Sequence, residues 1–138
     1  MDGSVSTLAP IFAVFFATHV PMTAFLVGMA SAVGAGISMA FAEALSDDGR
    51  LSGRGTPLHR GAIIGGTTLG GGIFHALPFL LPSYSAALTV ALVVVGCELI
   101  VIAFLRHRYF AASWSKSVLQ VFGAGVLVAL AGYLLGSA

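Results

Sequence analysis

The 138 residues are 58% hydrophobic and 8% charged, with a net charge of +1 and a mean hydropathy of +1.03. That balance excludes an ordinary soluble globular domain and a basic nucleic-acid surface, and it points to an integral membrane protein surrounded by lipid. At about 20 residues per spanning helix, the chain has room for four or five crossings in a single membrane domain, residues 1–138, and for no separate soluble domain.

Five apolar stretches follow one another, about residues 4–18, 22–45, 58–81, 85–105 and 117–137. All are predicted to be helices, because open sheet edges are not tolerated in hydrocarbon, so the fold class is all-α and polytopic. The first is short: fifteen residues reach about 22 Å against a hydrocarbon core of about 30 Å. Its start, MDGSVSTLAP, has no basic segment or cleavage site of a signal peptide. The expectation is that the natural protein begins upstream of this methionine, since a free amino terminus at membrane depth is costly to desolvate. His19 and Met22 flank the turn into the second stretch, which closes in GISMAFAEALSDDG. Thr56-Pro57 offers an N-cap and a first-turn proline for the third. There GGTTLGGG lies inside an apolar span, not between a strand and a helix, so it is no phosphate-cradling loop. LPSYS separates the third stretch from the fourth, which ends in an Arg106-His107-Arg108 anchor for anionic lipid.

The basic residues orient the bundle. Arg50, Arg54 and Arg60 belong to the second connection, and Arg106, Arg108 and Lys116 to the fourth, while the first and third contain no Lys or Arg. The positive-inside rule makes segments 46–60 and 106–116 cytoplasmic, with the N-terminus inside and the C-terminus outside. Three glycine pairs, Gly61/Gly65, Gly66/Gly70 and Gly132/Gly136, have the GxxxG spacing that lets helices approach closely, either across a homodimer or within one protomer.

Ionisable groups inside spans are expensive and therefore informative; Asp2, Glu43 and Glu98 qualify. Asp2 lies 18 residues before Val20 and Met39 lies 19 after it, so in an antiparallel hairpin the two are about level. Met39 and Glu43, four apart, share a helix face, with Glu43 one turn deeper. Two carboxylates and a thioether could then hold a borderline divalent cation such as Fe2+, and the carboxylates could take protons when it leaves. The plainer readings are a helix-end carboxylate at the interface for Glu43 and core packing for Met39. Glu98 and His75 are secondary candidates: Glu98 as a structural partner of a basic or hydroxyl group or a proton relay, His75 as a hydrogen-bonded packing histidine, an exit ligand or a proton acceptor. The lone Cys97 permits no intrachain disulfide, and no Ser-His-Asp set or zinc-ligand spacing appears, so neither an enzyme nor a bound cofactor is expected.

DGSVSTLAPIFA followed by GAGISMAFAEALSDDG resembles the two diagnostic stretches of the vacuolar iron transporter family. These are an Asp-Gly-x-Val-Ser-Thr motif in the first helix and a Ser-Met-x-x-x-Glu-x-x-Ser motif closing the second. HALPFLLP and GAGVLVALAGYLLG are similar to that family's third and fifth helices. The loop SDDG to GRGTP most resembles the membrane domain of bacterial membrane-bound ferritins, in which a ferritin-like domain precedes this unit. The resemblance implies a five-helix homodimer in a bacterial inner membrane that exports Fe2+, and often Mn2+, in exchange for protons. It carries Asp2, Met39 and Glu43 over as metal ligands of a path along the dimer interface. Plant and yeast-type members bear a glutamate-rich insertion between helices two and three; here that connection is about a dozen residues, and Asp47 and Asp48 are a weak electrostatic substitute. The alternative is a membrane module that does not transport but anchors or dimerises a ferritin-like partner.

Overall fold

The computed structural model describes the backbone of residues 2–49, 53–109 and 113–138 and, within these, the side chains from residue 6 onward. Among the described residues the chain is helical throughout, with no strand. The elements are α1 (Asp2–Thr18), α2 (Pro21–Ala44), α3 (Pro57–Ala76) with a 3₁₀ extension (Leu77–Leu80), α4 (Tyr84–Tyr109) and α5 (Trp114–Gly136). α2, α3 with its extension, α4 and α5 are each long and apolar enough to cross a membrane, while α1 is apolar but shorter. At 1.5 Å per residue, its 17 residues span about 25 Å.

Local chemistry sets the breaks. His19 adopts a left-handed backbone, φ 57°, and its N–H donates to the Phe15 carbonyl at 3.0 Å, which ends α1 two residues before Pro21 opens α2. Pro78 has no N–H to return to Phe74, so the end of α3 tightens into the 3₁₀ turn. Thr56 takes the N-cap position of α3 with extended dihedrals, but its side chain makes no capping bond, which corrects the expected cap. The fourth helix runs four residues past its expected end, bringing Arg106, His107 and Arg108 into its last turn, where positive charge suits the helix dipole.

α1 is central and packs on α2, α3 and α5; α4 joins through α5 and the 3₁₀ turn. The closest partners are α2 and α3, antiparallel, and the reason is a ladder of small residues. Gly28, Ala32, Gly36, Ala40 and Ala44 recur every four positions on α2. They meet Ala76, Gly72, Leu69, Gly65 and Gly61 of α3 in turn. Gly132 and Gly136 of α5 nestle in the same way against Ala9, Phe12 and Ala13 of α1. Two of the three GxxxG pairs are thus consumed inside one protomer, and the third, Gly66 and Gly70, faces open space.

Two ends follow from this arrangement. The end away from the basic loops is closed by aromatic rings: Phe15 stacks on Tyr84 at 4.3 Å and meets Phe79 edge-on at 4.9 Å, and Phe12 lies 6.5 Å from Phe79. Ile11, Phe12 and Phe15 are fully buried here. The outward surface is apolar, with Leu26, Phe41, Val93, Leu119 and Leu127 exposed, which lipid tolerates and water does not. Of the four helices long enough to span, α3 is the most interior, 39% buried over its most apolar stretch, whereas α4 and α5 at 11% are peripheral.

Candidate functional site

The small-residue ladder fixes the register from which the predicted ligands are placed. Thr7 of α1 and Ala32 of α2 both abut Gly72, so they lie level. Helical rise puts the Asp2 backbone about 7 Å from Thr7 towards the basic end, and Met39 and Glu43 about 3 Å and 9 Å beyond Asp2. The side chain of Asp2 lies outside the described residues. Met39 and Glu43 are half-buried and extend the stripe of Ala32 and Gly36. They lie at and about 9 Å past the level where α1 begins.

Glu43 is gathered with arginines. Its Oε1 accepts from Arg60 Nε at 2.9 Å and from Arg54 Nη2 at 3.0 Å. The two arginines differ sharply: the Arg60 side chain is 10% exposed, that of Arg54 is 54% exposed, and Glu43 itself is 19% exposed. Arg60 also donates from Nη1 to the Gly55 carbonyl at 3.0 Å, and from Nη2 to the Asp47 carbonyl at 3.0 Å and to Ser46 Oγ at 3.3 Å. One guanidinium thus ties the end of α2, both sides of the 46–55 loop and the start of α3. Asp47 is held by the same cations, 3.5 Å from Arg54 and 3.6 Å from Arg60, and its Oδ1 accepts the Gly49 N–H. The loop's glycines 49, 53 and 55 all have positive φ, which lets so short a connection fold back on the arginine. Asp48 is exposed at the same end.

A second polar pair lies between α3 and α4, away from the basic loops. His75 is 1% exposed. Its Nδ1 is 2.8 Å from the Gly71 carbonyl one turn back, and its Nε2 is in direct contact with Glu98 Oε2 of α4. The two secondary candidates are thus each other's partners. Among the described residues no three His, Cys, Asp or Glu side chains come together as a metal site would require. An open crevice of about 340 Å³ between α1, α4 and α5, lined by Phe12, Phe16, Leu92, Val126 and Leu130, offers no carboxylate and suits an acyl chain better than an ion. His19 is exposed at the turn and stacks on Tyr84 at 5.2 Å.

Sequence reasoning treats Arg54 and Arg60 as orientation signals only and misses them as partners of Glu43. A signal was present for Arg60: it follows Pro57 by three residues, one turn inside an apolar helix, where an arginine needs a buried acceptor. The meeting of His75 and Glu98 carries no local signal, because the two are 23 positions apart on different helices. Comparison with protein-family models, with curated proteins and with solved structures gave no match.

Proposed function

We propose that the chain is a proton-coupled transporter that exports Fe2+ from the cytoplasm, with Mn2+ as a second cargo, and that it is related to the vacuolar iron transporters its paired motifs resemble. The observation that carries this reading is the placement of Met39 and Glu43 on one half-buried face of α2, beside the level at which the α1 backbone reaches Asp2. The basic end faces the cytoplasm, with the N-terminus inside, in a bacterial inner membrane. Cargo enters past Glu43, moves to Met39 and Asp2, and follows the dimer interface to the opposite side. A thioether beside carboxylate oxygens shifts preference towards Fe2+ over Ca2+ and Mg2+.

The arginines fit this reading as stand-in cations. A guanidinium at Glu43 Oε1 occupies the place a metal ion would take, so that site already accommodates positive charge. Arg54, half-exposed, can swing into solvent at little cost, since exposed ion pairs contribute about 0–1 kcal/mol. Arg60 stays as the fixed partner. The unit acts as a homodimer, with the exposed Gly66/Gly70 face available to a second copy.

The ion-paired state of Glu43 also favours a second reading, in which the chain does not transport but anchors or dimerises a ferritin-like partner and Glu43 simply fastens the loop. Flux separates the two. In proteoliposomes the wild-type chain is expected to take up Fe2+ or Mn2+ with an opposing pH change, and Glu43→Ala to abolish that metal-driven proton flux. Unchanged flux in Glu43→Ala rejects the ligand role, and a wild-type chain that moves no metal in either direction leaves the anchor reading in place.

A further inference from the structure

We propose that His75 and Glu98 form a proton-binding site in the membrane interior, holding one exchangeable proton between Nε2 and Oε2. On the antiport reading above, on which this part rests, it is the place where the proton exchanged for metal is carried.

A carbonyl oxygen can only accept, so the 2.8 Å contact with Gly71 requires His75 Nδ1 to carry a hydrogen. Nε2 is then the variable position. It is in direct contact with Glu98 Oε2, and without a hydrogen between them a nitrogen lone pair would face a carboxylate lone pair. One proton resolves this. Imidazolium with carboxylate and neutral imidazole with carboxylic acid carry the same single proton, and both are neutral overall, which is what a low-dielectric setting favours. Losing that proton would leave a net negative charge among apolar helices, and gaining a second would leave a net positive one. The pair therefore gains or loses its proton as a unit, and does so most readily when something else in the protein changes charge or solvent access.

The His75 side chain is fully enclosed, while that of Glu98 is 20% exposed, so Glu98 is the member of the pair nearer the protein surface. Glu98 lies 14 residues from Tyr84 and 11 from Tyr109, about 21 Å and 17 Å along α4 from its two ends, which is membrane interior from either side. The other titratable and charged groups on the packed elements have places of their own. On α2, Glu43 is at the basic end with Arg54 and Arg60. On α3, His59 and Arg60 are in the first turn. On α4, Cys97 is exposed, Arg106, His107 and Arg108 form the last turn, and Tyr84 is in the aromatic plug. On α5, Lys116 is in the exposed first turn and Tyr133 touches Phe16. α1 adds Asp2, whose side chain lies outside the described residues, and the 3₁₀ turn adds none.

The test uses the full chain in liposomes and exploits a sequence with only two glutamates, Glu43 and Glu98, and four histidines. With 13C-labelled glutamate and 15N-labelled histidine, wild-type protein is expected to show one glutamate carboxyl signal and one imidazole signal changing over the same pH interval, with His75→Gln shifting only that carboxyl. Independent titration of the Glu98 carboxyl, or a Glu98 signal identical in His75→Gln and wild type, overturns the proposal without relying on any variant's transport. In a second arm, Mn2+ flux and internal pH are followed together. Glu98→Gln is expected to move Mn2+ while its opposing proton flux falls to the protein-free background. An unchanged proton-to-Mn2+ ratio, or equal loss of both fluxes, overturns the carrier role. If wild-type protein moves no Mn2+, the antiport reading fails, and the labelled-protein arm still decides whether the pair binds a proton.

Discussion

Arg60→Ala is expected to lower the unfolding free energy by about 3 kcal/mol, the low end of the range for removing one partner of a buried ion pair. The low end applies because Glu43 keeps Arg54 and is itself 19% exposed. The loss exceeds one ion pair, because the same guanidinium serves the carbonyls of Gly55 and Asp47 and the hydroxyl of Ser46, and alanine leaves these groups to find water at a partly buried site. Arg60→Lys is expected to recover little, since an ammonium cannot reproduce a planar fork that reaches a side chain and two loop carbonyls together. Arg54→Ala is the internal control: with Arg54 54% exposed, its pair with Glu43 contributes about 0–1 kcal/mol. Denaturant unfolding in detergent micelles, followed by circular dichroism, measures all three. An Arg60→Ala loss no larger than that of Arg54→Ala would mean that the loop is not fastened in this way.

Much of the architecture is legible in the residues, and the reason is the solvent. Lipid forces every span to satisfy its own backbone, so composition and length alone lead to helices at the observed places. The breaks are legible where proline or a turn interrupts an apolar run, at Pro21, Pro57 and Pro78. What the glycines do was only half legible. A GxxxG spacing shows that some backbone comes close, but not whether it belongs to the same chain; the decisive pattern was the complementary run of Gly28, Ala32, Gly36, Ala40 and Ala44, which mixes alanine with glycine and so escapes a search for glycine alone. The candidate site was legible residue by residue but not as a network. Spacing within one helix puts Met39 and Glu43 on a common face, whereas the partners of Glu43 arrive across a loop from Arg54 and Arg60, and loop geometry depends on three left-handed glycines.

The same distinction separates the two polar sites. At the basic end, Arg54 is half-exposed and can rearrange around Glu43 and Asp47, while Arg60 is buried and fixed. The His75–Glu98 contact joins α3 to α4, two helices that otherwise touch little. α4 is therefore held to the interior helix by a titratable contact and to the rest of the bundle by α5 and the 3₁₀ turn. A change in that contact has a peripheral helix to move, which a contact inside the tight α2–α3 pair would not.

Gly65→Val is expected to break that tight pair, with a loss of about 3 kcal/mol, the upper part of the usual overpacking range. A Cβ at Gly65 would sit 2.6 Å from Ala40 Cβ and 2.6 Å from the Gly36 carbonyl oxygen. Neither neighbour can yield cheaply: one is a methyl fixed on a helix and the other is backbone, so the two helices must separate. Separation is not a local event. Gly61 and Gly72 make equally close approaches on the same face, and moving the axes apart loosens Ala44, Ala32 and Thr7 together. Valine adds a branched side chain whose rotamers in a helix leave no way to point both methyls aside, so Gly65→Ala should cost less and Gly65→Val more. The adjacent Gly66 provides the control, because a Cβ there meets nothing within 4 Å; Gly66→Val should leave the monomer's unfolding midpoint unchanged, and any effect it has belongs to association. Denaturant titration of the three variants in the same detergent, with oligomeric state read by light scattering, separates packing within the protomer from packing between copies. Equal losses at positions 65 and 66 would contradict the ladder, since only one of these glycines faces α2.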